Sequence, residues 1–281
     1  MDYLSYNNTS FTELPKLPSS LKILYCNNNA LLTKLPKLPS SIEKLYCNNN
    51  SLLKELPKLP SKLENLDCCI NPLITQLPEL PYSLKILDCS YNKLLIKIPE
   101  LPFSLKDLNC NNNELLTTLP ELPSSLVKLY CNSNPLLETL PELPFNLHVL
   151  ECNNNPLLSK FPELPSTLTY LYCYNNPLLT TLPVLPSSLQ VLHCYNNLLL
   201  ERLPELPSSL QVLICHNNPL ITTLPRSIIY CKNIHNYYNK NNKYKKYNNL
   251  KYLESLSYLV NKSIENYYYK PIMDYYNSKY L

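Results

Sequence analysis

The chain has 281 residues, with 27 Pro, 24 Tyr and 12 Cys, no Gly, no Trp and a formal net charge of +4. Without Gly there is no glycine-rich phosphate loop, and without a run of ~18 apolar residues no segment reads as a membrane-spanning helix. The charge is uneven: residues 1–225 carry 15 basic and 18 acidic side chains (−3) and residues 226–281 carry 10 and 3 (+7), so two surfaces of opposite sign are expected.

Met1 to Asn8 shows neither the basic start nor the apolar run of a signal peptide. It reads instead as part of a half-repeat over residues 1–13. Tyr3, Ser5, Asn8 and Leu14-Pro15 stand 21 residues before Leu24, Cys26, Asn29 and Leu35-Pro36. That register makes Tyr3 to Asn8 a first strand with an open outer edge and only Asp2 to blunt it. Unprotected edges are templates for pairing, so this strand is expected either to join an edge-to-edge homodimer or to fray.

From Leu14 onward a fixed period governs the chain. Cysteines 26, 47, 68, 89, 110, 131, 152, 173, 194 and 215 are each 21 residues apart, and prolines keep the same step from Pro15 to Pro225 and from Pro18 to Pro207. Ten units run from Leu14 to Thr223, each close to L-P-x-L-P-S-S-L-x-x-L-x-C-x-N-N-x-L-L-x-x, within a domain over 1–225. A constant step of this size means stacked coils, each burying its apolar stripe against its neighbours.

Within a unit, Leu24 and Cys26 alternate with Ile23, Tyr25 and Asn27, the period-2 pattern of a strand with one face inward. Asn29 recurs as Asn50, Asn71, Asn92, Asn113, Asn134, Asn155, Asn176, Asn197 and Asn218. A buried amide offers both an acceptor and donors, so this series is expected to form a structural ladder that satisfies backbone groups at the bend. Asn also tolerates the left-handed backbone that a Gly-free chain must place somewhere. On the other side, Leu35-Pro36-Lys37-Leu38-Pro39 has two prolines three apart, which excludes a helix interior and predicts an extended, polyproline-like back.

The stretch Leu21-Lys22-Ile23-Leu24-Tyr25-Cys26-Asn27-Asn28-Asn29-Ala30-Leu31 matches the leucine-rich-repeat consensus, with Cys26 at its third apolar position. The L-P-x-L-P flank resembles the short repeats of bacterial effector proteins, and similar Cys-bearing repeats occur in proteins of large DNA viruses. The resemblance covers about four-fifths of the chain. It implies a repeat solenoid, a leucine-rich-repeat arc with a parallel β-sheet on its concave face. It also implies a protein partner, with a host protein as one candidate. A cytoplasmic, reducing compartment is expected, the host cell's in the viral case. Some effectors with such repeats carry a separate ubiquitin-ligase domain with a catalytic Cys. Here only Cys231 and about fifty residues follow the repeats, too little for such a domain.

The outward strand positions vary, and variation on a fixed frame is where recognition is encoded. Tyr170, Tyr172, Tyr174, His193, Tyr195, Ile214 and His216 form an aromatic patch toward the C-terminal end of the sheet, suited to a protein contact. Asp67 and Asp88 fall in one row on adjacent strands, with Asp107 nearby, and a basic partner would relieve their repulsion. Neighbouring ladder cysteines stand ~5 Å apart, within disulfide range, but they fill an inward leucine position where Cys acts as a small hydrophobe. Cys69 and Cys231 lie off the ladder, Cys69 pointing outward. No C-x-x-C or paired His spacing marks a metal site, so neither metal nor cofactor is expected. His148, His193, His216 and His235 assemble no set with a Ser, Cys or carboxylate, which leaves a non-enzymatic interaction scaffold.

Residues 226–281 form a basic tail rich in Tyr, Asn and Lys. Leu250, Leu253, Leu256, Val260 and Ile264 share one helical face after Asn248 and Asn249, predicting a capping helix over 249–266. Tyr244-Lys245-Lys246-Tyr247 and Tyr267-Tyr268-Tyr269-Lys270 combine charge for phosphates with rings for stacking, so nucleic-acid binding through the tail is the weaker alternative.

Overall fold

The computed structural model describes residues 2–230. It contains eleven three-residue strands: β1 (Tyr3–Ser5), β2 (Ile23–Tyr25), β3 (Lys44–Tyr46), β4 (Asn65–Asp67), β5 (Ile86–Asp88), β6 (Asp107–Asn109), β7 (Lys128–Tyr130), β8 (Val149–Glu151), β9 (Tyr170–Tyr172), β10 (Val191–His193) and β11 (Val212–Ile214). Their spatial order is their chain order, in a single sheet. Each pairs in parallel with the next, Leu against Leu, as in Leu24↔Leu45 and Leu192↔Leu213. At ~4.8 Å per step the sheet is ~48 Å long.

Each strand is short because the chain turns on both sides of it. Before β2 the Leu21 N–H donates to the Pro18 carbonyl at 3.1 Å, closing a turn over Ser19-Ser20. After it, Asn28 takes a left-handed φ of 59°. Leu14, Leu17, Leu21, Leu24, Cys26 and Leu32 are buried, and equivalent residues recur in later coils. Leu31, the other member of its pair, is exposed. Full burial of a Leu contributes ~1.5–3 kcal/mol, but the stripe is shared between coils and no coil is stable alone. Among the described residues the only helical segment is the 3₁₀ helix Arg226–Tyr230, and no helix is long and apolar enough to cross a membrane. The tail segment 249–266, Cys231 and His235 lie outside the described residues.

The invariant asparagines are fully or nearly fully buried and bridge consecutive coils. The Asn71 amide donates to the carbonyls of Cys68 in its own coil (2.8 Å) and Cys47 in the preceding one (3.0 Å). Its Oδ1 accepts the Asn50 N–H at 2.9 Å. The Oδ1 link repeats without a break from Asn29 to Asn218.

Two features depart from the expected register. The left-handed residue is not the ladder Asn but the one before it: Asn28, Asn49, Ile70, Tyr91, Asn112, Ser133, Asn154, Asn175, Asn196 and Asn217, with φ between 55° and 59°. The ladder residue must keep its side chain inside, so the turn falls on the residue ahead of it. The half-repeat is also one residue shorter than a full coil. Leu4, not Tyr3, pairs with Leu24, a step of 20, and β1 ends at Ser5. Asn8 takes the left-handed position (φ 56°), and Thr9 stands in for the ladder Asn, donating from N (2.6 Å) and Oγ1 (2.7 Å) to Asn29 Oδ1. The 21-residue step resumes by Thr12, whose carbonyl accepts the Thr33 N–H at 3.0 Å. Leu4 therefore faces the core, while Tyr3 and Ser5 face outward on a strand whose only sheet partner among the described residues is β2.

Replacing Asn113 by Ala strands the Asn92 N–H and the Cys110 carbonyl, both bonded to its side chain. The expected cost is ~1–3 kcal/mol, read from denaturant melts. An unchanged midpoint would show that the amide ladder does not hold the coils together. Ile70 is the opposite case, a β-branched residue held at φ 55°. Ile70→Asn relieves the left-handed strain and should stabilise by ~1 kcal/mol in the same melts.

Candidate interaction surface

In β2 to β11 the middle residue is buried and its two neighbours face outward, so the first and third strand positions form parallel rows across the concave face. Two residues past each strand the chain adds a further row, from Asn27 to His216. Parallel register places equivalent side chains side by side, so whatever recurs in one row touches itself.

The aromatic residues exploit this. Tyr174 and Tyr195 stack at 4.4 Å between ring centroids with 7° between planes, and His216 continues the column over Tyr195 at 4.6 Å and 11°. In the neighbouring row Tyr172 meets His193 edge-on at 4.8 Å, and β11 sets Ile214 beside His193. Tyr170 is the most open member of the patch and pairs across the sheet with Val191 and Val149. The two histidines thus pair with different tyrosines. Burial, then the Glu151 carboxylate, raises the Tyr172 phenol, and burial raises Tyr195. Burial lowers the His193 imidazole. The patch is therefore uncharged at neutral pH around these three groups. His216 Nδ1 is buried without a hydrogen-bond partner among the described residues. A second stack, Tyr25 on Tyr46 at 4.9 Å, sits at the other end of the sheet; two tyrosines adjacent in one row were its sequence signal.

Asp67 and Asp88 are neighbours across β4 and β5. Each is held by an amide on its outer side: Asn48 Nδ2 donates to Asp67 at 2.5 Å and Asn109 Nδ2 to Asp88 at 2.9 Å. Ser90 adds its N–H (3.0 Å) and hydroxyl (2.6 Å) to Asp88. Burial still raises Asp88 above the usual carboxylate value, against these hydrogen bonds, and Asp67 adds to the rise. Asp107 forms an ion pair with Lys128 at 3.7 Å, and burial outweighs that lysine to raise its carboxyl as well.

The ladder cysteines are all buried thiols, and burial pushes them upward, Cys26 to about 12 and Cys215 to about 11. Cys69 is half-buried and is also raised, by burial first and then by Asp67, so it is a protonated thiol at neutral pH. Asp67, Cys69 and Asp88 bring three potential ligand atoms within 4.8 Å of one another. The carboxylates are already committed to amide and hydroxyl donors, and the thiol resists ionisation, so the donor set fits a divalent cation poorly.

One further line of residues lies on the convex side, at the x of L-P-x-L-P. It reads Lys16, Lys37 and Lys58, then Glu79, Glu100, Glu121, Glu142 and Glu163, then Val184 and Glu205, all exposed. Three residues after Glu79, Glu100 and Glu142 stand the exposed rings of Tyr82, Phe103 and Phe145. The signal was in the repeat itself, at a position that reads coil by coil as ordinary solvated charge.

Eleven parallel strands one coil apart, threaded by a buried amide ladder, define a leucine-rich-repeat solenoid protein. The chain resembles the leucine-rich effector YopM. YopM from Yersinia enterocolitica matches it with a TM-score of 0.67 and 36% identity, over 79% of this chain and 52% of that one. The leucine-rich effector YopM from Yersinia pestis matches with a TM-score of 0.67 and 42% identity, over 75% of this chain and 59% of that one. The chain thus spans between half and three-fifths of the length of either structure. No family model matches the chain, and no curated protein matches it in sequence.

Burial keeps His193 neutral in the folded protein at pH values where the unfolded chain, near the ordinary 6.5, takes up a proton. Stability from this site is fully present above about pH 6.5 and is lost as the pH falls toward the depressed native value. His193→Tyr installs the residue that Tyr25, Tyr46, Tyr130 and Tyr172 place in the same row. In thermal melts across pH, the wild-type-to-variant gap should be constant above about pH 7 and shift against the wild type below about 6.5. A gap independent of pH would mean that the ring titrates as if in solvent.

Proposed function

We propose that this chain is a non-enzymatic interaction scaffold that holds a protein partner on its concave sheet, with the Tyr174–Tyr195–His216 column as the central contact. The observation that carries this reading is the column itself: three rings stacked on consecutive coils, with Tyr172, His193 and Ile214 in the next row. A rigid parallel sheet loses little entropy when it binds, and aromatic rings with polar tips bury large area there. The partner segment that fits is uncharged and apolar or aromatic. Asp88 and Asp67 lie four and five coils from Tyr172, ~19 and ~24 Å along the same face, where a basic segment of that partner would dock. Asp107, neutralised by Lys128, contributes least.

Similarity to YopM, a leucine-rich effector, supports a host protein as that partner. A non-catalytic role is supported by the chemically capable groups: the ladder thiols are buried and protonated, and His193 stands on its row between Tyr172 and Ile214.

The test uses the triple variant Tyr174→Asn, Tyr195→Asn, His216→Asn. Asn27, Asn48, Asn111, Asn132 and Asn153 already hold this position, so the coil accepts the change. Affinity capture from host-cell lysate, followed by titration of the captured protein, should show binding roughly 30-fold weaker to the variant. Equal retention by both proteins would move the function off this patch.

A further inference from the structure

The glutamates of the convex line, Glu79 through Glu163, occupy five consecutive coils at one position, about one strand spacing (~5 Å) apart. Among the described residues none of them takes part in an ion pair, whereas Glu13, Glu43, Glu64 and Glu114 each hold a lysine. Lys58 precedes Glu79 at the same position, but from Glu79 to Glu163 no cation stands among the carboxylates of the line. The neighbouring rings of Tyr82 (86% exposed), Phe103 (80%) and Phe145 (65%) add apolar area to the same strip. A complementary occupant is therefore basic and aromatic at once.

The chain itself carries such a segment. Residues 231–281 hold nine lysines against three acidic residues, and twelve of the 24 tyrosines. The route to the strip begins in the described structure. Arg226 falls 21 residues after Glu205, at the next position of the convex line. Ser227 donates its hydroxyl to the Glu205 carboxylate at 2.7 Å and accepts the Leu206 N–H at 2.8 Å. Ile228 packs against the core. The first turn past the last coil is thus seated on the back of the solenoid, at the foot of the acidic line. From there Glu79 is six coils away, ~29 Å, well within reach of a segment that spans ~3.3 Å per extended residue.

We propose that the basic tail of this chain docks within the same molecule along the convex glutamate line, its lysines against the carboxylates of Glu79 to Glu205 and its apolar and tyrosine side chains against Tyr82, Phe103 and Phe145. This occupies the face opposite the concave patch and does not depend on the partner proposed there.

The full chain tests it directly. A carbodiimide joins a lysine amine to a carboxylate with no spacer, so it reports only ion-pair contacts. At low salt, tail lysines such as Lys240, Lys245 and Lys251 should couple to Glu100, Glu121, Glu142 and Glu163, and coupling should fall roughly tenfold at ~0.5 M salt. An equal mixture of isotope-labelled and unlabelled chains separates coupling within a chain from coupling between chains. In the variant Glu100→Gln, Glu121→Gln, Glu142→Gln, Glu163→Gln, trypsin should cut the tail lysines roughly tenfold faster at low salt while the melting temperature holds or rises. Products confined to Glu201 and Glu205 would mean that the tail only covers the end of the stack, and would overturn the proposal. So would mixed-label products alone, coupling scattered over other acidic residues, or tail cleavage unchanged in the variant.

Discussion

The buried amide ladder is the constraint on which the rest depends. From Asn50 to Asn218 each inward Asn satisfies a carbonyl in its own coil and the backbone N–H of the preceding coil, and many also reach a carbonyl of that preceding coil, whereas the Asn29 amide reaches only the Tyr6 carbonyl before it. The bend after each strand is thereby closed in the dry interior, where an unmet peptide group is costly. Because each link spans two coils, spacing in one coil fixes spacing in the next. That coupling explains why the period holds without a slip through ten units. It also explains where a slip is tolerated: at the first coil, the ladder needs only something to meet Asn29, and Thr9 does so through its N–H and hydroxyl.

The ladder also dictates where the backbone is strained. With the amide committed inward, the residue before it must turn left-handed, and a chain without Gly assigns most of these positions to Asn. Consecutive outer asparagines gain a second, solvent-side ladder, as in Asn175 to Asn154 (2.7 Å), Asn196 to Asn175 (2.7 Å) and Asn217 to Asn196 (2.9 Å). Ile70, Tyr91 and Ser133 break that outer row. Two of the three coils concerned are those that carry Asp67 and Asp88, so the acidic pair sits where the outer amides have given way.

Period, sheet and inward face are legible in the sequence because each position is stated ten times over. The assignment of the two adjacent asparagines is less so, since amides at both 28 and 29 fit either role. The coils with Ile70, Tyr91 and Ser133 resolve it: the position that never varies is the buried one, and the position that tolerates other residues is the turn. The half-repeat misleads for a related reason. Its Asn8 falls 21 residues before Asn29, yet the single-residue deletion makes Thr9 the ladder residue and turns Leu4 inward. Membership of the aromatic patch can be read from register alone. Its geometry cannot, since whether Tyr172 meets His193 edge-on or face-on depends on side-chain angles that no spacing encodes.

A parallel solenoid turns any residue choice repeated at the coil period into a continuous line, and this has opposite consequences on the two faces. For aromatic rings the line is self-stabilising, because stacked neighbours gain contact and cover each other's apolar faces, as Tyr174, Tyr195 and His216 do. For like charges the line works against itself, because every added Glu at ~5 Å increases the repulsion on those before it. On the concave side the chain interrupts its acidic residues with amides, so that Asn48 and Asn109 bracket the Asp67–Asp88 pair. On the convex side it does not interrupt them: five glutamates follow one another with no amide or lysine at their position. In water so uniform a line gains nothing from its repetition, whereas a basic segment lying along it would meet a carboxylate at every coil and relieve the repulsion that the repetition creates.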